Sequence, residues 1–155
     1  MLIIRHGEKP KIGESLTCRG ENRARQIPAV LSRKFGKIDY IYVPTIVSSG
    51  GKTLHARMFQ TATPTAIRNG LDINSQFSGK EVEQAAQSVL EKKGTVLLVW
   101  SHTAIAKLTQ SLGAEAPDWK DADFDSILVI KYTNGKGVLS RDAEGLSPLD
   151  DCVDR

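Results

Sequence analysis

No apolar run in this chain is longer than Val96 to Trp100. A helix needs about 20 apolar residues to cross a bilayer, so a helical membrane span is excluded. The start also lacks a basic stretch followed by a long apolar region and a small-residue cleavage site, so no signal peptide is visible and a cytoplasmic protein is expected. Apolar residues begin at Leu2, directly after Met1, which leaves an upstream segment open. Aromatic residues make up only 6% of the chain, and its Lys and Arg form no dense run. A nucleic-acid surface built on stacking or on a basic stripe is therefore not expected. The two cysteines, Cys18 and Cys152, belong to no Cys-x-x-Cys pair, which excludes a zinc ribbon or finger. Two separate thiols are the expectation, with a disulfide as the alternative. A Gly-x-Gly-x-x-Gly fingerprint is missing after the first apolar segment, which argues against dinucleotide binding.

What is present fits one ordinary domain over residues 1–155. The chain is 40% apolar and 25% charged, with a mean hydropathy of −0.25. That places it among globular proteins long enough to build a core. The net charge of +3 is unevenly spread. Residues 1–70 hold 12 Lys/Arg against 4 Asp/Glu, a balance of +8, and residues 71–155 hold 9 against 14, a balance of −5. The first half therefore favours an anion, and the scatter of its charges suits a small one.

Leu2-Ile3-Ile4 reads as a short buried strand. Ala24, Ile27, Val30, Leu31 and Phe35 recur at helical spacing, with Pro28 predicting a kink or break. Residues 38–43 alternate as a strand. A loop rich in Ser and Gly spans 48–52, and a helix runs from about Ala56 to Asn69, interrupted near Pro64. Residues 79–93 form the clearest amphipathic helix, ended by Gly94. The apolar run 95–100 suits a strand covered on both faces, and a helix follows it to Leu112. Residues 126–140 read as a hairpin turning at Asn134-Gly135. The expected fold is a three-layer α/β/α sandwich with a mostly parallel sheet and an antiparallel terminal hairpin.

In such sheets ligands bind beyond the carboxyl ends of the strands. Two strands here end on histidine, the first at Arg5-His6 and the later one at Ser101-His102. His55, the third histidine, has no carboxylate or cysteine at ligand spacing, so no metal is expected.

Arg5-His6-Gly7-Glu8-Lys9-Pro10 after a buried strand resembles the signature of the histidine phosphatase superfamily, which includes cofactor-dependent phosphoglycerate mutases and histidine acid phosphatases. Leu16-Thr17-Cys18-Arg19-Gly20 with Arg23-Ala24 resembles the segment opening its first helix. His55-Ala56-Arg57 with Gln60-Thr61-Ala62 resembles its second-arginine motif, and Val99-Trp100-Ser101-His102 its second-histidine strand. The resemblance implies a phosphoglycerate mutase-like fold and a phosphohistidine intermediate with no cofactor. The chemistry can also be argued from the residues. Arg5 and Arg57 are planar cations matched to phosphoryl oxygens, and the neutral imidazole of His6 can attack phosphorus. Gly7 permits close backbone approach, and Lys9 adds a point charge or is a solvated loop lysine. The family pattern gives His102 a contact with a phosphoryl oxygen.

The general acid stays open. The Asp that acid phosphatases carry directly after the second histidine is replaced by Thr103. Mutase-like members use a Glu after the second arginine, which points to Glu81 or Glu83, while Glu8 lies two residues from His6. Glu8 and Glu81 are the preferred candidates, although carboxylates such as Glu81 and Glu83 also serve to stabilise a helix start. Only 44 residues separate Arg57 from His102, so a shallow, open pocket is expected. That suits a small phosphorylated substrate or a phosphoprotein, with neither nucleic acid nor membrane as partner. The leading reading is a metal-independent phosphatase. A non-catalytic phospho-ligand module and a phosphoglycerate-type mutase are the alternatives.

Overall fold

A computed structural model describes residues 1–115 and 117–152. Among the described residues, eight strands and four helices follow in the order β1 (Leu2–Arg5), α1 (Cys18–Phe35), β2 (Tyr40–Tyr42), β3 (Val47–Ser49), β4 (Lys52–Leu54), α2 (Ala56–Asn69), β5 (Ile73–Asn74), α3 (Val82–Leu90), β6 (Val96–Trp100), α4 (His102–Ser111), β7 (Ser126–Thr133) and β8 (Lys136–Ala143). The main sheet has the order β5-β2-β6-β1-β7-β8. Its first four strands are parallel, with β1 beside β6 in the register Ile3↔Leu98 and Arg5↔Trp100. The strands β7 and β8 add antiparallel at the far edge.

Alternation along the central strands creates two cores. Leu2, Ile4, Leu97 and Val99 face Ile27, Leu31, Met58 and Ala62 of α1 and α2. Ile3, Val96, Leu98 and Trp100 face Val82, Ala86, Ile105 and Leu108 of α3 and α4. This is why β1 and β6 are apolar at successive positions: both faces are covered. Ile3, Ile4, Leu97 and Leu98 have no more than a trace of exposure, and each such side chain contributes about 1.5–3 kcal/mol of hydrophobic stabilisation.

The expected three-layer mixed sheet is therefore present, with four differences of detail. Helices α1 and α2 run through Pro28 and Pro64 without interruption. The loss of one hydrogen bond at each proline is outweighed by the buried apolar faces on either side. The segment read as a loop around 48–52 is an exposed hairpin, because Gly50 (φ 58°) and Gly51 (φ 73°) supply the left-handed pair a tight turn requires. The short strand β5 escapes a periodicity reading because it has only two residues.

The fourth difference is covalent. Cys18 and Cys152 form a disulfide, with their Cα atoms 4.6 Å apart, in place of the two thiols expected. The chain returns here because Asn22 Nδ2 donates to the carbonyls of Leu149 (3.0 Å) and Asp151 (2.9 Å), and Arg19 pairs with Asp150 at 3.2 Å. Among the described residues no helix is long and apolar enough to cross a membrane.

Candidate active site

The carboxyl ends of β1 and β6 lie side by side, so the residues that follow them share one edge of the sheet. The His6 amide donates to the Trp100 carbonyl at 3.2 Å, extending the pairing by one residue. The chain then turns sharply under α1. A Cβ on Gly7 would meet the Gly20 carbonyl oxygen at 2.8 Å, and a Cβ on Gly20 would meet the Glu8 carbonyl oxygen at 2.3 Å. Two glycines thus let the loop and the helix start pack backbone to backbone. Thr61 Oγ1 accepts from the Gly7 amide at 2.9 Å, which ties the same loop to α2, the helix that carries Arg57.

His6 is 2% exposed. Its Nδ1 lies 2.7 Å from the Gly7 carbonyl. A carbonyl only accepts, so the ring proton sits on Nδ1 and Nε2 keeps its lone pair. Burial first, then the positive field of Arg5 and Arg57, lowers the His6 pKa to about 4. The ring is therefore neutral across the physiological range, with a free lone pair on Nε2.

Arg5 is also buried, at 1% exposure. It donates to the Asp121 carbonyl, reaches the Asp123 carbonyl at 3.4 Å, and lies 3.9 Å from the centroid of the Phe124 ring. Arg57 donates to the Gly13 carbonyl at 2.9 Å and stands 3.6 Å from Glu14. His102 opens α4, where the helix dipole favours an anion. Its Nε2 lies 2.7 Å from Asp121 Oδ1, and its pKa is lowered mainly by burial and then by Arg5. Arg5 Nε, Arg57 Nε and His102 Nδ1 are buried without a hydrogen-bond partner. Buried arginine N–H donors are seldom left unpaired, and the positive field of Arg5 and Arg57 at His6 suits an anionic ligand; His102, whose Nε2 faces Asp121, presents Nδ1 as a donor only when its ring is protonated.

Beside His6 opens a cleft of about 730 Å³. Its walls include Pro44, His55, Arg57 and Met58 on one side and Gly79, Lys80, Val82, Trp100, Ala104 and Lys107 on the other. The cleft is better walled than the short Arg57–His102 spacing suggests, because the 78–82 segment and the first turn of α4 both line it. Every ionisable side chain among its described lining residues is basic. Lys9 is exposed and close enough to His102 to lower its pKa.

The structure brings Arg5, His6, Gly7, Arg57 and His102 to one edge, but it does not bring the two candidate acids there. The Glu8 carboxylate accepts from Arg23 Nε (3.0 Å) and Nη2 (2.9 Å), and Arg19 stands 3.3 Å away. It faces α1. Glu81 accepts from the Ser78 amide at 2.8 Å at the start of α3, a contact that lowers its pKa and makes it a poorer proton donor. Neither lines the cleft. Asp121, which touches the site, carries no signal in a sequence reading because it arrives from a distant segment, whereas Thr61 lies within the second-arginine motif itself.

No protein-family model matches this sequence, and no curated protein matches it either. Solved structures do. The protein histidine phosphatase SixA in complex with tungstate superimposes with a TM-score of 0.68 at 15% identity, over 92% of this chain and 96% of that one. Mycobacterial hydrolase 2 gives 0.60 at 13% identity, over 96% and 91%. A protein assigned as the phosphohistidine phosphatase SixA of Agrobacterium tumefaciens gives 0.57 at 18%, over 95% and 97%. Over 92% of its length, this chain has the fold of the SixA-type histidine phosphatases, the phosphoglycerate mutase-like sandwich expected from its motifs.

Proposed function

We propose that this chain is a metal-independent phosphatase that works through a phosphohistidine on His6. The observation that carries the reading is the His6 ring itself: buried, neutral and protonated on Nδ1, it holds a free Nε2 lone pair among Arg5, Arg57 and His102. The tungstate bound by SixA, an oxyanion of phosphate-like shape, agrees with it.

In the first step Nε2 attacks phosphorus, the N–P bond forms and the bond to the leaving group breaks. The imidazolium charge that develops is stabilised by the Nδ1–H bond to the Gly7 carbonyl. Arg5, Arg57 and His102 take the phosphoryl oxygens, and an arriving dianion raises the pKa of His102 and favours its cationic form. Water then attacks the phosphohistidine, releasing inorganic phosphate and restoring the neutral ring. With Glu8 and Glu81 held elsewhere, leaving groups that depart without a strong acid, such as the imidazole of a phosphohistidine or the carboxylate of an acyl phosphate, suit the site best. A phosphorylated protein side chain or a small phosphomonoester fits the cleft, whose basic rim accommodates further negative charge.

Hydrolysis of an aryl phosphate in the presence of a chelator, with an acid-labile and base-stable phosphoenzyme on rapid quenching, is the expected result. His6→Ala abolishes both. The acid limb of kcat/KM lies near pH 4, well below the ordinary histidine value of about 6.5, because protonation removes the nucleophile. Undiminished turnover in His6→Ala overturns the reading. The position of Glu8 and Glu81 also favours a second one, a phospho-ligand module without turnover. Phosphate binding that needs Arg5 and Arg57, with no hydrolysis of any phosphomonoester or phosphoramidate, selects that reading.

A further inference from the structure

The carboxylate nearest the proposed phosphoryl-binding groups is neither of the glutamates near the motifs. Asp121 Oδ1 lies 2.7 Å from His102 Nε2 and 3.9 Å from Arg5 Nη2, and the Asp121 carbonyl accepts from the same guanidinium. One oxygen of an anionic group thus sits between two of the groups that are to hold a phosphoryl oxygen. The Asp121 side chain itself is 88% exposed, so nothing buries it there except these contacts. Its loop is anchored on the outer side, where Trp119 Nε1 donates to the Asp123 carbonyl at 3.0 Å and Arg141 donates to the Asp118 carbonyl.

We propose that Asp121 is a tethered competitor for the phosphoryl site, an internal anion that any phosphorylated ligand must displace. The inference rests on the reading of Arg5 and His102 as phosphoryl ligands, and not on turnover. An incoming phosphoryl group carries up to two negative charges and several acceptor oxygens against the single charge of the carboxylate, so it can take both ligands and send Asp121 back to solvent. A competitor that occupies the site most of the time weakens the apparent affinity of every anion by the same factor. Free phosphate, held by the phosphoryl site alone, is thereby kept from accumulating as a bound product. A substrate that also engages the cleft retains useful affinity. Asp121 thus sets KM and the affinity for product phosphate without taking part in bond making.

The test is isothermal titration of inorganic phosphate into the intact wild-type chain, Asp121→Asn and Asp121→Ala, with steady-state kinetics on phenyl phosphate alongside. Both variants are expected to bind phosphate about tenfold tighter and to lower KM by a similar factor, with kcat unchanged. Because the residue is exposed, matching melting temperatures should show that both variants fold. Unchanged or weaker phosphate binding in both overturns the proposal. So does a fall in kcat that grows with leaving-group basicity, since that would make Asp121 a proton donor. Tighter phosphate binding in variants that, like the wild type, hydrolyse nothing would refute the phosphatase reading and leave this one standing.

Discussion

The loop from Arg5 to Glu8 has two sides, and they are built on opposite terms. On the α1 side the buried charges are paired with one another, although Arg19 Nε and Glu144 Oε1 are buried without a hydrogen-bond partner. Arg23, 4% exposed, is bound by Glu8, by Asp125 at 3.1 Å and by Glu144 at 2.6 Å, while the disulfide and the 149–151 segment pin the same helix start from outside. On the cleft side, Arg5 Nε, Arg57 Nε and His102 Nδ1 are buried with no hydrogen-bond partner, and the nearest carboxylates, Asp121 and Glu14, are exposed and half-buried rather than buried. Saturated charges contribute rigidity, whereas unsaturated ones hold binding energy in reserve for a ligand. The loop is held firmly from behind so that its front can remain underbonded.

The largest expected contrast comes from removing one arginine on each side. Arg23→Ala leaves Glu8, Glu144 and Asp125 around an empty centre, and breaking a buried pair of this kind costs about 3–5 kcal/mol of stability by denaturant unfolding. Arg57→Ala removes a cation whose Nε has no partner and whose other contacts, to the Gly13 carbonyl and to Glu14 at 3.6 Å, lie at the exposed rim. Its stability should change little, while kcat for an aryl phosphate falls roughly 10²–10³-fold, as for loss of one transition-state donor. If Arg23→Ala unfolds no more readily than Arg57→Ala, the division into a structural and a functional side fails.

The disulfide belongs to the structural side and sharpens the same contrast. It closes a loop over a sequence separation of 134 residues, so Cys152→Ser should lower stability by about 2–4 kcal/mol while leaving KM and kcat of the folded chain unchanged. The bridge also bears on where the protein works. A cytoplasmic thiol pool keeps such pairs reduced, so cytoplasmic residence and a closed bridge pull against each other. Trapping free thiols in freshly lysed cells separates the two. A chain fully alkylated at Cys18 and Cys152 places it in a reducing compartment.

The contrast also explains what could be foreseen. Arg5, His6 and His102 are legible because each follows directly on a short apolar strand, and the carboxyl ends of parallel strands are where such folds bind ligands. The layers are legible from periodicity, since β6 and α3 each state their buried faces in a few consecutive residues. The partners are not. Glu8 lies next to the motif, yet its side chain belongs to Arg23, a choice made by how α1 packs on Gly7. Asp121 meets Arg5 across a sequence separation of 116 residues, along a path set by the loop before β7. Cys18 and Cys152 meet only because the tail after β8 returns to α1. Local pattern specifies elements, while contacts between loops depend on three-dimensional paths that no spacing records.

A separate effect should appear in the pH dependence of stability. One guanidinium cannot balance three carboxylates, and burial pushes the Glu144 pKa up to about 8 against the pull of Arg23. The ordinary value is 4.5. Between those limits the native state keeps a proton that the unfolded chain has released, so stability falls as pH rises from about 4.5 towards about 8. Glu144→Gln, which cannot ionise, should flatten that decline and leave the cleft's pH–rate profile unchanged. A slope that persists in the variant would place the titration elsewhere.

The smallest effect is expected at Thr61, the residue through which the two sides communicate. Its hydroxyl donates to the Arg57 carbonyl at 2.8 Å and accepts from the Gly7 amide at 2.9 Å, with the residue fully buried. Thr61→Val keeps the shape but leaves the Gly7 N–H without an acceptor, which costs about 1–3 kcal/mol. The backbone turn that fixes the His6 ring should loosen with it, because the Gly7 carbonyl that orients Nδ1 belongs to the same turn. The measurable consequence is a fall in kcat with KM for an aryl phosphate unchanged, since Arg5 and Arg57 still bind the phosphoryl group while the nucleophile is less often aligned. A rise in KM with kcat intact would mean instead that Thr61 acts through Arg57 and α2, and that the loop carrying His6 is held by α1 alone.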